Sequence, residues 1–266
     1  MRTNNEGNVQ LQLEGKTVLI TGGSRGIGRA IAEQFSAEGC NCVLVSRNAS
    51  DLRATGEEIK RAHGATVRTE ALDLADSKNV THLADKYPDI DILINNAGAI
   101  PGGALADVDE ARWRSAWDLK VMGTINMVRA FYPLMKARGG GTIINIIGNA
   151  ARTRDPNYIC GVTGNAGLTA FTEAIGSVSL HDNIRVNGVS PGPTATDRLV
   201  GLVSARAKTQ LGDAGRWREL FSSLPGGRPG EPAEIAAMVA LLASPKSNYT
   251  SGAVITLDAG ISSRSG

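Results

Sequence analysis

Cysteine, histidine, net charge and long apolar runs are all scarce in this chain, and each scarcity removes a class of function. There are three cysteines, Cys40, Cys42 and Cys160. The first two are one residue apart, a poor spacing for a disulfide or a zinc site, so all three read as small buried residues in a reducing compartment. The histidines His63, His82 and His181 stand far apart and form no ligand pattern, so no metal site is expected. A formal net charge of +2 gives no strong pull toward nucleic acid or an anionic membrane. No apolar run approaches the roughly 20 residues that span a bilayer. The segment Met1 to Gln12 is polar and has no signal-peptide core. Residues 1–14 therefore read as a flexible tail. The expected setting is cytoplasmic, with no nucleic-acid or membrane partner.

What is present is apolar mass in a regular order. At 42% hydrophobic residues, the 266-residue chain can bury a sizeable core. Apolar, β-branched runs recur at residues 17–20, 42–45, 92–94, 142–147, 184–189 and 253–257. Such runs fit strands buried on both faces of a parallel sheet. The more polar run Val67 to Leu72 fits an edge strand. Helical stretches such as Gly28 to Ala37 and Ser50 to Ala62 lie between the runs. This alternation predicts a Rossmann-type, doubly wound parallel sheet in a three-layer α/β/α arrangement, with one domain over residues 15–266. The segment from Asp197 to Arg228 breaks the pattern. It is charged, and its Arg198, Arg206, Arg216 and Arg218 fit a solvated helix face better than the alternative, a site for an anionic substrate. Ligands of open α/β sheets bind beyond the C-terminal strand ends. A segment inserted there reads as a substrate lid.

The glycine-rich stretch Thr21-Gly22-Gly23-Ser24-Arg25-Gly26-Ile27-Gly28 follows a strand and opens a helix. In that context glycines permit a tight turn and close approach to a phosphate, and the helix N-terminus offers unpaired N–H groups. A dinucleotide pocket is expected there.

The spacing TGxxxGxG resembles that of the short-chain dehydrogenase/reductase family, and the resemblance runs from Gly15 to Gly260. Asp73-Leu74 looks like the family's adenine-contacting pair, and Asn95-Asn96-Ala97-Gly98 like its NNAG motif. Pro191-Gly192-Pro193-Thr194-Ala195-Thr196 is similar to its PG motif, which holds the nicotinamide carboxamide. Residues 228–235 and 257–260 resemble its C-terminal signatures. The resemblance implies a cofactor set of Gly22, Ser24, Arg25, Gly26, Ile27, Gly28, Ser46, Arg47, Asp73, Leu74, Asn96, Ala97, Gly98, Pro191, Gly192, Thr194 and Thr196. An acid closing the second strand would select NAD, whereas Ser46-Arg47 and Arg25 suit a 2′-phosphate. NADP is expected in preference to NAD.

The usual chemistry of that family uses an Asn, a Ser, a Tyr and a Lys. Alignment on Asn145-Ile146 puts Gly148 at the serine, and alignment on Ala166-Gly167-Leu168 puts Asn165 at the lysine and Gly161 at the tyrosine. The Asn position holds Lys120. Glycine has no side-chain donor, so the tyrosine-dependent mechanism is excluded in its usual form. Lys120 and Asn165 resemble an exchange of the family's Asn and Lys, with Asn165 as the expected hydrogen-bond partner of a desolvated Lys120. Lys120 should share an inward helical face with Trp113, Trp117 and Thr124. Tyr158 is a candidate displaced proton donor and Asn149 a candidate carbonyl partner. Three functions remain open: an NADP(H)-dependent oxidoreductase acting on a carbonyl or alcohol through an atypical site, a non-redox lyase or isomerase using Lys120, and a catalytically silent NADP(H)-binding protein. A homodimer or homotetramer is implied, with interfaces at residues 127–137, 168–179 and 253–257.

Overall fold

The computed structural model describes residues 10–263, so most of the expected N-terminal tail lies outside the described residues. Seven strands form one sheet: β1 (Thr17–Thr21), β2 (Asn41–Ser46), β3 (Val67–Ala71), β4 (Ile92–Asn95), β5 (Gly141–Ile146), β6 (Ile184–Pro191) and β7 (Val254–Leu257). Their order is β3-β2-β1-β4-β5-β6-β7, and every pairing is parallel. The chain winds outward from β1 to β3, then returns to place β4 on the other side of β1. That reversal opens a crevice at the C-terminal ends of β1 and β4.

Alternation within the strands builds two apolar layers. Val18 and Ile20 of β1 face the helices α1 (Gly26–Ala37), α2 (Ala49–His63) and α9 (Pro232–Ala243), through Phe35, Leu52 and Val239 among others. Leu19 faces the opposite layer, made by α3 (Ser77–Lys86), α5 (Gly123–Ala137) and α7 (Ile159–Gly176). A strand residue points to the face opposite its neighbour's, so near-continuous apolar runs serve both layers. Cys40, Cys42 and Cys160 are buried and unpaired. No described helix is long and apolar enough to cross a membrane.

Two expectations need adjustment. The run ending in β7 was expected to be buried on both faces, but β7 is an edge strand and all four of its residues are only partly buried. Its outer side has no neighbouring strand among the described residues. The second concerns the helical face of Lys120. Between α4 (Glu110–Trp117) and α5 the chain makes one π-helical turn, Asp118–Met122. The Gly123 N–H accordingly reaches the Asp118 carbonyl, five residues back. This turn shifts the face of Lys120 relative to Trp113 and Trp117, so simple 3.6-residue spacing does not carry across it.

The irregular segment folds as α8 (Asp197–Leu211) followed by short 3-10 turns at Ala214–Phe221 and Pro225–Gly227. It has its own small apolar cluster, including Ala207, Trp217 and Phe221. Its ends are tied together by Ala195 N–H to Gly230 O (2.8 Å) and Gly230 N–H to Pro193 O (2.9 Å). Two further short helices, α6 (Ala150–Thr153) and the 3-10 turn Ser179–Asp182, flank α7.

Candidate active site

A groove of about 1070 Å³ runs along the C-terminal strand ends. Its floor is the turn from β1 to α1. Gly22 and Gly26 have φ of +67° and +57°, which glycine adopts at little cost. A Cβ on Gly28 would stand 2.1 Å from the Gly22 carbonyl oxygen and 2.5 Å from Asn96 Nδ2, so α1 closes on the turn only because residue 28 has no side chain. The loop after β4 is strapped onto this turn. Asn96 Nδ2 donates to the carbonyls of Thr21 (3.0 Å) and Gly22 (3.2 Å), while the Asn96 and Ala97 N–H groups donate to Thr21 Oγ1. α1 starts at Arg25 with no side-chain cap on its first N–H groups. Such an end attracts an anion.

The remaining walls come from the other strand ends. Ser46 and Arg47 follow β2 into the groove, and Ser46 Oγ is buried without a hydrogen-bond partner. Arg25 and Arg47 line the same groove; Arg47 is 3.9 Å from Asp73 Oδ2. Beyond β6, the Gly192 N–H is fixed to Leu257 O (2.9 Å), and Thr196 caps α8 through Oγ1. A Cβ on Gly26 would touch Thr196 Cγ2 at 3.1 Å, so this segment reaches the glycine turn. Of the expected cofactor set, Gly28 and Asp73 do not line the groove. Gly28 lies behind the turn as packing. Asp73 stands at the groove's edge, with Oδ1 accepting the Ala75 N–H (3.0 Å) and Oδ2 toward Arg47. The other fifteen line it.

A smaller cavity of about 220 Å³ lies beside the groove, and Lys120, Asn149, Tyr158 and Asn165 all line it. Lys120 comes from the π-helical turn and is only 7% exposed. Its aliphatic stem lies over Gly98, where a Cβ would be 2.5 Å from Lys120 Cδ. The expected partner of the ammonium was Asn165; the structure gives it Ile146 instead, with Nζ donating to that carbonyl at 2.5 Å. Nζ thus meets the end of β5, where a main-chain carbonyl serves as acceptor. Burial pushes the Lys120 pKa down to about 8.

Asn165, on α7, is 3% exposed, and its Oδ1 has no partner among the described residues. Its amide packs on Gly148, where a Cβ would sit 3.2 Å from Nδ2. Tyr158 precedes α7, and its ring occupies the space a side chain at residue 161 would need: a Cβ on Gly161 would come within 2.0 Å of the ring. Burial raises the Tyr158 pKa, and the nearby charge of Arg198 works in the other direction. Asn149 Nδ2 donates one N–H to Asp258 Oδ2 at 3.2 Å, which fixes the amide and leaves its second N–H for a carbonyl.

From sequence, Arg198 is one of four lid arginines that read as a solvated charged face in preference to an anion site. The structure places it at the cavity, with Nη2 donating to Ile100 O at 2.8 Å. Its position just inside α8, two residues past Thr196, was the available signal. The Ile146 carbonyl had none, because a main-chain acceptor looks the same in every sequence.

Residues 16–207 match the family model described as short chain dehydrogenase. The chain belongs to the short-chain dehydrogenase family. An uncharacterized oxidoreductase, YxbG, of Bacillus subtilis is 33% identical, over 94% of this chain and 92% of that protein. A 2-keto-3-deoxy-L-fuconate dehydrogenase of Xanthomonas campestris is 32% identical, over 94% of this chain and 81% of its own length. Among solved structures, the L-sorbose reductase of Gluconobacter frateurii in complex with NADPH and L-sorbose superposes with a TM-score of 0.90. It is 29% identical, over 97% of this chain and 100% of that one. The short-chain dehydrogenase fold therefore spans nearly the whole chain, the groove and the cavity included.

Proposed function

We propose that this chain is an NADP(H)-dependent oxidoreductase interconverting a carbonyl and an alcohol, with a proton relay rebuilt around Tyr158 and Lys120. The observation that carries the reading is the convergence of Lys120, Asn149, Tyr158 and Asn165 on one cavity beside the dinucleotide groove. Gly148, Gly161 and Asn165 take the positions of the family's Ser, Tyr and Lys, and neighbouring side chains fill the vacated volume. The Tyr158 ring stands over Gly161, and the Asn165 amide over Gly148.

The groove fits a dinucleotide. The glycine turn and the uncapped start of α1 would hold the pyrophosphate through Gly22, Ser24, Gly26 and Ile27. Arg25 and Arg47 suit a 2′-phosphate, and the orphaned Ser46 Oγ offers it a hydroxyl. Leu74, Ala97 and Gly98 would flank the adenosine side and the ribose; Pro191, Gly192, Thr194 and Thr196 would flank the nicotinamide. NADPH in the L-sorbose reductase structure supports the same choice. When bound, that cofactor supplies or accepts the hydride.

The protein's own task is the proton. A raised pKa keeps the Tyr158 phenol protonated at neutral pH, ready to donate to a carbonyl oxygen in reduction. Lys120, with a pKa near 8, carries a proton that can replace the one lost and a charge that favours a developing alkoxide. Asn165 Oδ1 would accept a hydrogen bond from a substrate hydroxyl. The segment at 197–228 would close over the substrate, and a homodimer or homotetramer would cover the exposed side of β7.

The test is NADPH oxidation with a panel of sugar, hydroxy-acid and steroid ketones, and NADP⁺ reduction with the matching alcohols. Turnover lost in Tyr158→Phe and Lys120→Met is expected. Tight NADPH binding without turnover on any substrate would sink the reading in favour of a silent binding protein. The lowered Lys120 pKa also favours a second reading, a lyase or isomerase working through a Schiff base. Borohydride trapping that leaves Lys120 unmodified in the presence of turned-over substrate removes it.

A further inference from the structure

The small cavity is electrically one-sided. Lys120 reaches it from the π-helical turn and Arg198 from the start of α8, and no carboxylate lines it. Asp155 and Asp197 line the wider groove but not this cavity. Among the described residues, Lys120 is buried with a carbonyl as its only hydrogen-bond acceptor, and no neighbouring acid acts on it. A buried cation without a counter-ion is costly, and an incoming anion offsets that cost. Arg198 spends one N–H on Ile100 O, its only hydrogen bond among the described residues. That bond ties the lid segment to the loop after β4 and holds the guanidinium at the cavity. A guanidinium has five N–H donors in a fixed fork, so a face suited to a carboxylate is left over.

We infer that the substrate is an anion, a carbonyl or hydroxy compound bearing a carboxylate, whose charged end docks on Arg198 in the field of Lys120. This rests on the oxidoreductase reading for the carbonyl but not for the charge. Arg198 carries the recognition because it sits at the cavity's lid side and has uncommitted donors; Lys120 lies deeper and is held by Ile146. Asn165 Oδ1, buried and unpartnered, accepts from a hydroxyl elsewhere on the same molecule. The size of the cavity, about 220 Å³, suits a short oxo or hydroxy acid. Charge-assisted bonds from a guanidinium are stronger than neutral ones, so replacing the carboxylate by an amide of the same shape should be felt strongly.

The experiment is calorimetric titration of the NADPH-loaded full chain with pyruvate, acetoacetate and levulinate, each against its neutral primary amide. NADPH oxidation is followed on the same samples. At least one acid should bind about tenfold or more tighter than its amide, and Arg198→Gln should erase the difference. Equal affinities for acid and amide, undetectable binding of both included, overturn the inference; so does an acid preference that survives Arg198→Gln. Acid preference without turnover upholds the anion site and counts against the redox reading. Turnover of acid and amide alike upholds the redox reading and removes the anion site.

Discussion

The dinucleotide groove and the cavity beside it share a rim, yet one is built largely of main chain and the other of side chains. In the groove, the turn of Gly22, Gly26 and Gly28 works through dihedral angles, close approach and free N–H groups. In the cavity, Tyr158, Lys120 and Asn165 work through volume and charge, each filling or crossing a space left by a glycine. A main-chain site tolerates little change of residue, because any Cβ intrudes on it. A side-chain site can be rebuilt from a neighbour, because a ring or an ammonium arriving from three residues away or another helix occupies the same volume.

Four measurements test that contrast. Tyr158→Phe keeps the ring over Gly161 and removes only the proton, so turnover should fall roughly 10²–10³-fold with NADPH affinity unchanged. Unaltered turnover would return Tyr158 to packing. Lys120→Met should next remove a pH dependence of stability. The ammonium's pKa drops from its ordinary 10.5 to about 8 on folding. The unfolded chain thus holds more protons between those values, and wild-type stability rises with pH across that window. The charge cost is fully present below pH 8 and gone above 10.5, and by the size of the shift it amounts to at most about 3 kcal/mol. Urea unfolding of both proteins across this range should show the variant's advantage shrinking as pH rises. A constant gap would mean Lys120 reaches solvent.

Gly28→Ala acts on the groove instead. Its Cβ would force α1 off the turn, and overpacking of about 1–3 kcal/mol lowers NADPH affinity up to about a hundredfold. NADPH fluorescence titration reads the effect, with thermal melting to separate a lost pocket from a lost fold. The smallest change is expected from Arg47→Gln. It should cut the preference for NADPH over NADH about tenfold, the weight of one charge-assisted contact on a half-exposed site. A preference that stays constant in the ratio of the two binding constants would assign the 2′-phosphate to Arg25 and Ser46 alone.

The groove was legible because its signals are local. Thr21 to Gly28 carries both the turn and the helix start, and residues 95–98 and 191–196 carry their motifs on consecutive positions. The motif put Asp73 beside the groove but could not give its partners, the Ala75 N–H and Arg47. The cavity was only half legible. Alignment singled out Lys120, Asn165 and Tyr158, which line it together, but the helical face inferred for Lys120 does not carry across the π-helical turn. The π-helical turn was invisible, because one extra residue in a helix leaves no mark on composition.

By itself, the sequence determined the alternating parallel sheet, the strand-turn-helix that makes the glycine cradle, and the absence of side chains at residues 148 and 161. Those follow from periodicity and from residue chemistry acting over a few positions. Only the tertiary structure decided that the Lys120 ammonium meets the Ile146 carbonyl rather than Asn165, that the Tyr158 ring covers Gly161, and that Arg198 reaches the cavity from α8. Each depends on groups brought together from separate elements, and the distances that decide between partners exist only once those elements have packed.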